Sequence, residues 1–192
     1  MEILKKIELN FEPFPVLESD RLVFKKLANT DVDGIFALRS SEKAMKFIPR
    51  PILSNKEQAL ELIELMNTNI DLNKTINWAV FLKENPTIFI GYLGHYKIDI
   101  ENYRSEIGYM ILPKFEGKGY ATEAVKTIVK YGFEQLHLHS IEAVIDPENF
   151  ASERVLQRCG FVKEAHILEN EYYEGKFWDT VIYSLLKRNF KD

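Results

Sequence analysis

The sequence has one cysteine, Cys159, and no long apolar run. A single cysteine cannot form an internal disulfide or a zinc site built on a cysteine pair, and it is typical of a reducing compartment. The apolar runs are as short as Trp78–Leu82, whereas a membrane-spanning helix needs about 20 apolar residues. No apolar signal core follows the charged start of the chain. We therefore expect a cytoplasmic protein that does not act in a membrane.

An excess of basic residues is also missing. Lysine and arginine total 25 against 29 aspartates and glutamates, which gives a net charge of −4. Proteins that bind the phosphate backbone of nucleic acids usually carry a basic excess or a basic stripe, so we do not expect a nucleic-acid partner. His137 and His139 alternate along the chain, but the sequence suggests no third ligand beside them. We therefore expect no metal.

The sequence does contain enough apolar material for one folded domain. Its 192 residues are 46% hydrophobic, which suits a single domain with a buried core. Residues 1–15 carry Pro13 and Pro15 and are predicted to form an irregular N-terminal arm. Residues 16–188 are predicted to form the domain itself.

Helical and strand periodicities alternate along this domain. Leu22–Leu27 is predicted as a strand, and Asn29-Thr30-Asp31 offers a cap for a short helix after it. Ser54 and Glu57 have the spacing of a capping box, and apolar residues at 59, 62, 63, 66 and 70 give the next helix one apolar face. After residue 76 the predicted elements are, in order, strands Ile76–Leu82, Ile88–Ile98 and Ser105–Leu112, a helix over 120–136, strand Ser140–Ile145, helix Asn149–Cys159, and strands Val162–Tyr172 and Thr180–Leu186.

The order of these elements predicts how the sheet is built. The first three strands after residue 76 should form an antiparallel meander, with turns at Asn85-Pro86 and Glu101-Asn102. A helix links the strand that ends at Leu112 to the strand that begins at Ser140, so these two strands should be parallel neighbours. The predicted fold class is therefore α/β (α+β), with a mixed, mostly antiparallel central sheet flanked by helices.

A glycine-containing loop between a strand and a helix is the most informative segment. Gly117 and Gly119 lie just before the helix, where backbone N–H groups have no intrahelical partner and a partial positive charge. Glycines let a ligand approach the backbone, and Lys114 and Lys118 add charge, so the loop predicts a phosphate or pyrophosphate site. The alternative is that the glycines only form a sharp turn. A Walker loop is absent, and the dinucleotide fingerprint fails at Thr122, where it requires glycine.

Short motifs around this loop carry a resemblance to a known family. In chain order they are Glu106-Ile107-Gly108-Tyr109, Gly117 to Ala124, Tyr131-Gly132-Phe133, Ile141-Glu142-Ala143, Pro147-Glu148-Asn149 with Ala151-Ser152, and Val155-Leu156 with Cys159-Gly160-Phe161. In this order and spacing they resemble the GNAT N-acetyltransferase superfamily. With Glu18–Phe24 included, the chain resembles its RimJ/RimL-type branch, whose named members acetylate the N-termini of ribosomal proteins. The resemblance covers about residues 16–188.

The resemblance implies acetyl-CoA as the acetyl donor. In the family, backbone N–H groups of the glycine loop hold the pyrophosphate, and the end of the preceding strand pairs with the pantetheine amides. Glu116 stands where the family usually has glutamine or arginine. The donor-binding residues implied by the resemblance are Met110, Ile111, Leu112, Glu116, Gly117, Lys118, Gly119, Tyr120, Ala121, Thr122, Asn149 and Ser152.

The resemblance also implies three catalytic candidates, each with a structural alternative. Ser152 would lie near the thioester sulfur as a proton donor, although it and Asn149 also suit the first turn of a helix. Glu171 holds the position of the base proposed for RimL-like members, and its alternative is a solvated acid on a hairpin. Glu106 is the rival base, and its alternative is an ion pair with Arg104 or a lysine.

The acceptor is left open between several classes. An α-amino group has a reference pKa of about 7.7–8.0 and a lysine one of about 10.4, so an N-terminal acceptor needs only a modest base. The first hypothesis is an N-acetyltransferase that acts on a protein N-terminus. The second is the same chemistry on a small amine, such as a polyamine, an amino acid derivative or an antibiotic. The third is a non-catalytic acyl-CoA-binding module. Both a monomer and a homodimer are compatible with the sequence.

Overall fold

One sheet is the frame of the computed structural model, which describes residues 6–191. In this part of the chain its strands are β1 Leu17–Glu18, β2 Leu22–Lys25, β3 Ile76–Leu82, β4 Asn85–Asp99, β5 Arg104–Ile111, β6 Ser140–Ile145, β7 Val162–Tyr173 and β8 Lys176–Leu186. They lie in the order β1-β2-β3-β4-β5-β6-β8-β7. Every neighbouring pair is antiparallel except β5 and β6, which are parallel. The predicted fold class, the meander and the parallel pair are confirmed.

Helices cover both faces of this sheet. Within residues 6–191 they are α1 Val32–Arg39, α2 Glu42–Met45, α3 Lys56–Asp71, α4 Tyr120–Glu134 and α5 Phe150–Arg158. Side chains of a strand alternate between faces, and all residues of β3 are buried. Trp78 and Val80 pack into a core with α4, whereas Ala79 and Phe81 pack into a second core with α1 and α3. No helix in the described part of the chain is long and apolar enough to span a bilayer.

Local hydrogen bonds move two predicted boundaries. The predicted capping box at Ser54 and Glu57 is wrong, because the cap of α3 is Asn55, which accepts a hydrogen bond from the Gln58 N–H at 2.9 Å. Gln58 Oε1 in turn accepts from the Ser54 N–H at 2.8 Å. The predicted turn at Asn85-Pro86 is also wrong, since Asn85 already pairs with Leu82 across the β3–β4 turn.

The N-terminal arm contributes to the core. Residues 6–15 form no helix or strand, and residues 1–5 of the predicted arm lie outside the described residues. Ile7 and Phe11 are nevertheless buried in the same core as Trp78. The Trp78 indole N–H donates to the Pro15 carbonyl at 2.7 Å, which anchors the end of the arm.

Candidate active site

An opening in the sheet between β5 and β6 creates the site. Their parallel pairing runs from Arg104 and Ser140 to Glu106 and Glu142. Both strands continue beyond this last pair, β5 to Ile111 and β6 to Ile145. The strands therefore separate, and the backbone of β5 that faces β6 is left with hydrogen-bonding groups that a ligand can use.

The glycine loop lies at the end of β5 beyond this opening. Gly117 and Gly119 have φ values of 72° and 81°, and Gly119 is the N-terminal cap of α4. This left-handed conformation is open to glycine and strongly disfavoured for branched residues. The first intrahelical bond runs from the Glu123 N–H to the Gly119 carbonyl at 3.1 Å. The N–H groups of the preceding helical residues have no intrahelical acceptor and suit an anion.

A cavity of about 530 Å³ joins the opening to the loop, and we call it the donor cavity. It brings together most of the predicted donor residues: Met110, Ile111, Glu116, Gly117, Gly119, Tyr120, Ala121, Thr122, Asn149 and Ser152. Two predicted residues are not among its lining. Leu112 is buried in the second core, with its N–H bonded to the Ile90 carbonyl at 2.8 Å. The Lys118 ammonium lies 5.5 Å from the centre of the Phe115 ring.

Positive side chains dominate the charge of the donor cavity. Lys43, Lys46, Arg154 and Arg158 line it, and Glu116 is the acidic residue among its lining, with Lys43 Nζ 3.3 Å from Glu116 Oε2. In a chain of net charge −4, this local excess favours an anionic ligand. None of these four cations was predicted from the sequence as a site residue. The four-residue spacing of Arg154 and Arg158, which places them on one helix face, was the available signal.

The start of α5 forms the wall of the cavity opposite β5. Asn149 Oδ1 accepts from the Ser152 N–H at 3.1 Å, so Asn149 caps the helix and lines the cavity at once. The Tyr109 hydroxyl donates to the Ser152 carbonyl at 3.3 Å and so joins β5 to the first turn of α5. Burial raises the pKa of Tyr109 well above its usual value, so its hydroxyl stays protonated at neutral pH. Tyr109 was not predicted from the sequence as a site residue.

Comparison with known protein families shows which family the chain belongs to. Residues 21–162 match the model of the Acetyltransferase (GNAT) domain. The chain belongs to the GNAT acetyltransferase family. The predicted family and the predicted enzyme class, N-acetyltransferase, are thereby confirmed.

Relatives of this GNAT domain match it over nearly its whole length. YoaA of Bacillus subtilis (strain 168), an uncharacterized N-acetyltransferase, is 32% identical over 174 residues, or 91% of this chain and 98% of YoaA. The spermidine N(1)-acetyltransferase of Vibrio cholerae is 26% identical over 163 residues, or 84% of this chain and 91% of that protein.

Solved structures share the fold. A GNAT-family acetyltransferase from Bacillus anthracis superposes with a TM-score of 0.80 at 29% identity. The superposition covers 91% of this chain and 99% of the Bacillus anthracis chain. RimL, a ribosomal L7/L12 α-N-protein acetyltransferase solved with coenzyme A, superposes with a TM-score of 0.80 at 18% identity and covers 90% of this chain and 98% of its own.

Glu171 lies outside the donor cavity of this GNAT domain, beside a second cavity. Its Oε1 is 2.7 Å from Arg50 Nη1, and it faces Trp178 across the β7–β8 pair. Arg50, Tyr173 and Trp178 line the second cavity, which has a volume of about 440 Å³ and which we call the acceptor cavity. The two cavities adjoin, because Lys46 and Ile48 line both.

The structure does not bring the three catalytic candidates together. Ser152 lines the donor cavity, Glu171 is held beside the acceptor cavity, and Glu106 is in neither lining. Glu106 Oε2 lies 2.5 Å from Lys97 Nζ, which is the lysine ion pair weighed as its alternative.

Cys159 and the acidic residues offer no further reactive centre. Burial raises the pKa of Cys159 to about 11, so its thiol is protonated at neutral pH and is a poor nucleophile. Its Sγ lies 3.6 Å from the Thr122 carbonyl, where it packs α5 against α4. Among residues 6–191, no group of three or more His, Cys, Asp or Glu side chains is placed to hold a metal ion.

Proposed function

We propose that this chain transfers the acetyl group of acetyl-CoA directly to the α-amino group of a protein or peptide. The amine nitrogen attacks the thioester carbonyl carbon, the carbon–sulfur bond breaks, the thiolate of coenzyme A takes up a proton, and the amine loses one. The observation that carries the proposal is the donor cavity, which has bare helix N–H groups at one end and separated strands at the other.

The charges and shape of this cavity support acetyl-CoA as its ligand. The diphosphate would bind the N–H groups of residues 117–122. Arg154 and Arg158 would neutralise the phosphate on the ribose of coenzyme A. The pantetheine amides would pair with the free edge of β5 at Met110 and Ile111. The thioester then reaches the opening, near Tyr109 and Ser152.

Two hydroxyl groups are suited to protonate the leaving thiolate. Ser152 remains the proposed acid from the sequence, and we add Tyr109 as a second candidate because it lines the donor cavity and its hydroxyl lies 3.3 Å from the Ser152 carbonyl. A general acid must reach the sulfur within hydrogen-bond distance, and both groups lie where the strands separate. Glu171 remains the proposed base, which its contact with Arg50 beside the acceptor cavity supports, with Glu106 as the alternative.

The acceptor cavity supports a peptide over a polyamine. Its charged lining residues, Glu42 and Glu174 against Lys46 and Arg50, are balanced, and the adjacent Glu171, paired with Arg50, adds one negative charge. A polyamine carries several positive charges and gains little from one net negative charge, whereas a peptide N-terminus brings one amine that reacts in its neutral form.

Thiol release from acetyl-CoA by the purified full-length chain tests this proposal. The chain should release coenzyme A when it is given peptides with a free α-amino group. It should release none when the same peptides have a blocked N-terminus and one free lysine. Mass spectrometry with labelled acetyl-CoA should place the label on the N-terminus. Release with spermidine alone would overturn the peptide acceptor. No release with any amine, while coenzyme A still raises the melting temperature, would leave only an acyl-CoA-binding module.

A further inference from the structure

The segment before β2, whose sequence matched the RimJ/RimL-type pattern, lies against the glycine loop. Arg21 Nε and Nη2 lie 2.7 and 2.6 Å from Glu123 Oε2 in the first turns of α4. Arg21 Nη1 donates to the Lys118 carbonyl at 3.0 Å, and the guanidinium stacks 4.5 Å from the centre of the Tyr120 ring. One side chain therefore contacts the loop, the first helical residue and the first acid of α4.

The bond to the Lys118 carbonyl fixes a peptide plane. In a trans peptide the C=O and the following N–H point in opposite directions. Because the Lys118 carbonyl faces Arg21, the Gly119 N–H points away from Arg21. Gly119 lines the donor cavity and Lys118 does not, which is the orientation that presents this N–H to a bound anion.

Arg21 also controls a negative charge at the anion site. Burial alone would raise the pKa of Glu123, but hydrogen bonds from the Arg21 backbone N–H, the Ser19 hydroxyl and the Arg21 guanidinium, together with the charge of that guanidinium, outweigh it and hold that pKa below its usual value. The carboxylate is thus charged at neutral pH, and only 17% of the side chain is exposed to screening water. Without a cation beside it, Glu123 would repel a phosphate at the same helix end.

We propose that Arg21 is a positioning residue for the diphosphate of acetyl-CoA, which orients the Lys118–Gly119 peptide and neutralises Glu123. The inference rests on the proposed donor site. It does not place Arg21 on the reacting atoms. Its role is to keep the loop ready for binding, so its loss should change donor affinity and leave the acceptor's KM unaltered.

Calorimetric titration of coenzyme A into full-length variants tests this inference. R21A should raise the Kd by about tenfold, as expected for loss of charged hydrogen bonds at the site. R21K should keep the melting temperature, because lysine can still pair with Glu123, yet it should lose most of the affinity, because lysine cannot also bond Lys118 and stack on Tyr120. K83A is the matched control: the Lys83 ammonium lies 2.8 Å from Glu18 and donates to the Ser19 carbonyl at 3.3 Å, and Lys83 does not line the donor cavity.

The outcomes separate this inference from the proposed function. Failure of the wild-type chain to bind coenzyme A would remove the donor site itself. Binding by the wild type with an unchanged Kd in R21K and R21A would overturn the role of Arg21 alone. The double variant R21A/E123Q should recover part of the affinity that R21A loses, and a Kd no better than that of R21A would contradict the neutralisation of Glu123.

Discussion

Gly119 is the residue at which backbone conformation and ligand binding meet. Its φ of 81° orients the start of α4, and a Cβ there would lie 3.4 Å from Arg21 Nη2. A side chain at this position strains the backbone, although its Cβ would only contact the flexible end of Arg21. The same residue therefore determines both the shape of the loop and access to its N–H groups.

G119V should weaken coenzyme A binding by at least about tenfold, because a β-branched residue disfavours this left-handed conformation and displaces the loop N–H groups that would hold the diphosphate. G175V is the matched control. Gly175 has a similar φ of 79° in the β7–β8 turn, away from the donor cavity. Titration of both folded variants should show the loss only in G119V, and equal affinities would argue against a phosphate site at the loop.

Glu171 is the proposed general base, and this role requires its negative charge. E171Q keeps the shape of the side chain and its hydrogen bond to Arg50 but removes the charge. We expect turnover to fall by about 10²-fold or more, as for loss of a general base, with the Kd for coenzyme A unchanged. A pH–rate profile identical to that of the wild type would remove Glu171 from the base role and favour Glu106 or water.

At the scale of elements, the separation of β5 and β6 and the start of α5 matter most. Because α4 links these parallel strands, the loop at its N-terminus and the N-terminus of α5 both lie at the open end of the pair. The exposed face of α5 then brings Arg154 and Arg158 into the donor cavity. Positive charge for an anionic ligand thus comes from the exposed face of α5 as well as from the N-terminus of α4.

The double substitution R154A/R158A should raise the KM for acetyl-CoA and leave the acceptor's KM unchanged. The reason is that both arginines lie on the donor side of the site, with no partner in the acceptor cavity. The effect should shrink as salt is added, since it is electrostatic. Q157A is the control, because Gln157 is exposed on the same helix and does not line either cavity. A raised acceptor KM instead would contradict this division of the site.

At the scale of the whole molecule, the elements were predictable and the contacts between them were not. The strands, the parallel pair and the loop follow from local patterns, so residues 110–122 could be placed from the sequence. Arg50 and Glu171 are 121 positions apart, and Lys43 and Lys46 enter the donor cavity from α2 and the chain after it. Such contacts depend on tertiary packing, which has no local periodicity. The cap of α3 is Asn55 and not the predicted Ser54. Because both residue types cap helices well, the sequence pattern alone does not determine which of two neighbours is the cap.

The buried His95 connects the sheet to α4 and should make stability depend on pH. Its ring nitrogens contact Ser105 Oγ at 2.7 Å and the Ile128 carbonyl at 2.8 Å. Burial lowers the pKa of His95 from 6.5 to about 4. Between these values the unfolded chain binds more protons than the folded chain, so stability falls as pH falls from about 6.5 to 4, by roughly 3 kcal/mol in total.

Urea unfolding of the wild type and H95Q at several pH values measures the contribution of His95 to the free energy of unfolding. H95Q should be less stable at pH 7.5, because it loses a fitted contact, but its stability should fall less steeply between pH 6.5 and 4. Parallel pH dependences for the two proteins would show that His95 does not contribute.

A crystal structure of the chain with coenzyme A tests the central claim most directly. The account predicts that the diphosphate lies within hydrogen-bond distance of the N–H groups of residues 117–122, with the pantetheine along Met110 and Ile111 and the sulfur near Tyr109 and Ser152. Coenzyme A bound at any other place, with the donor cavity left empty, would contradict it.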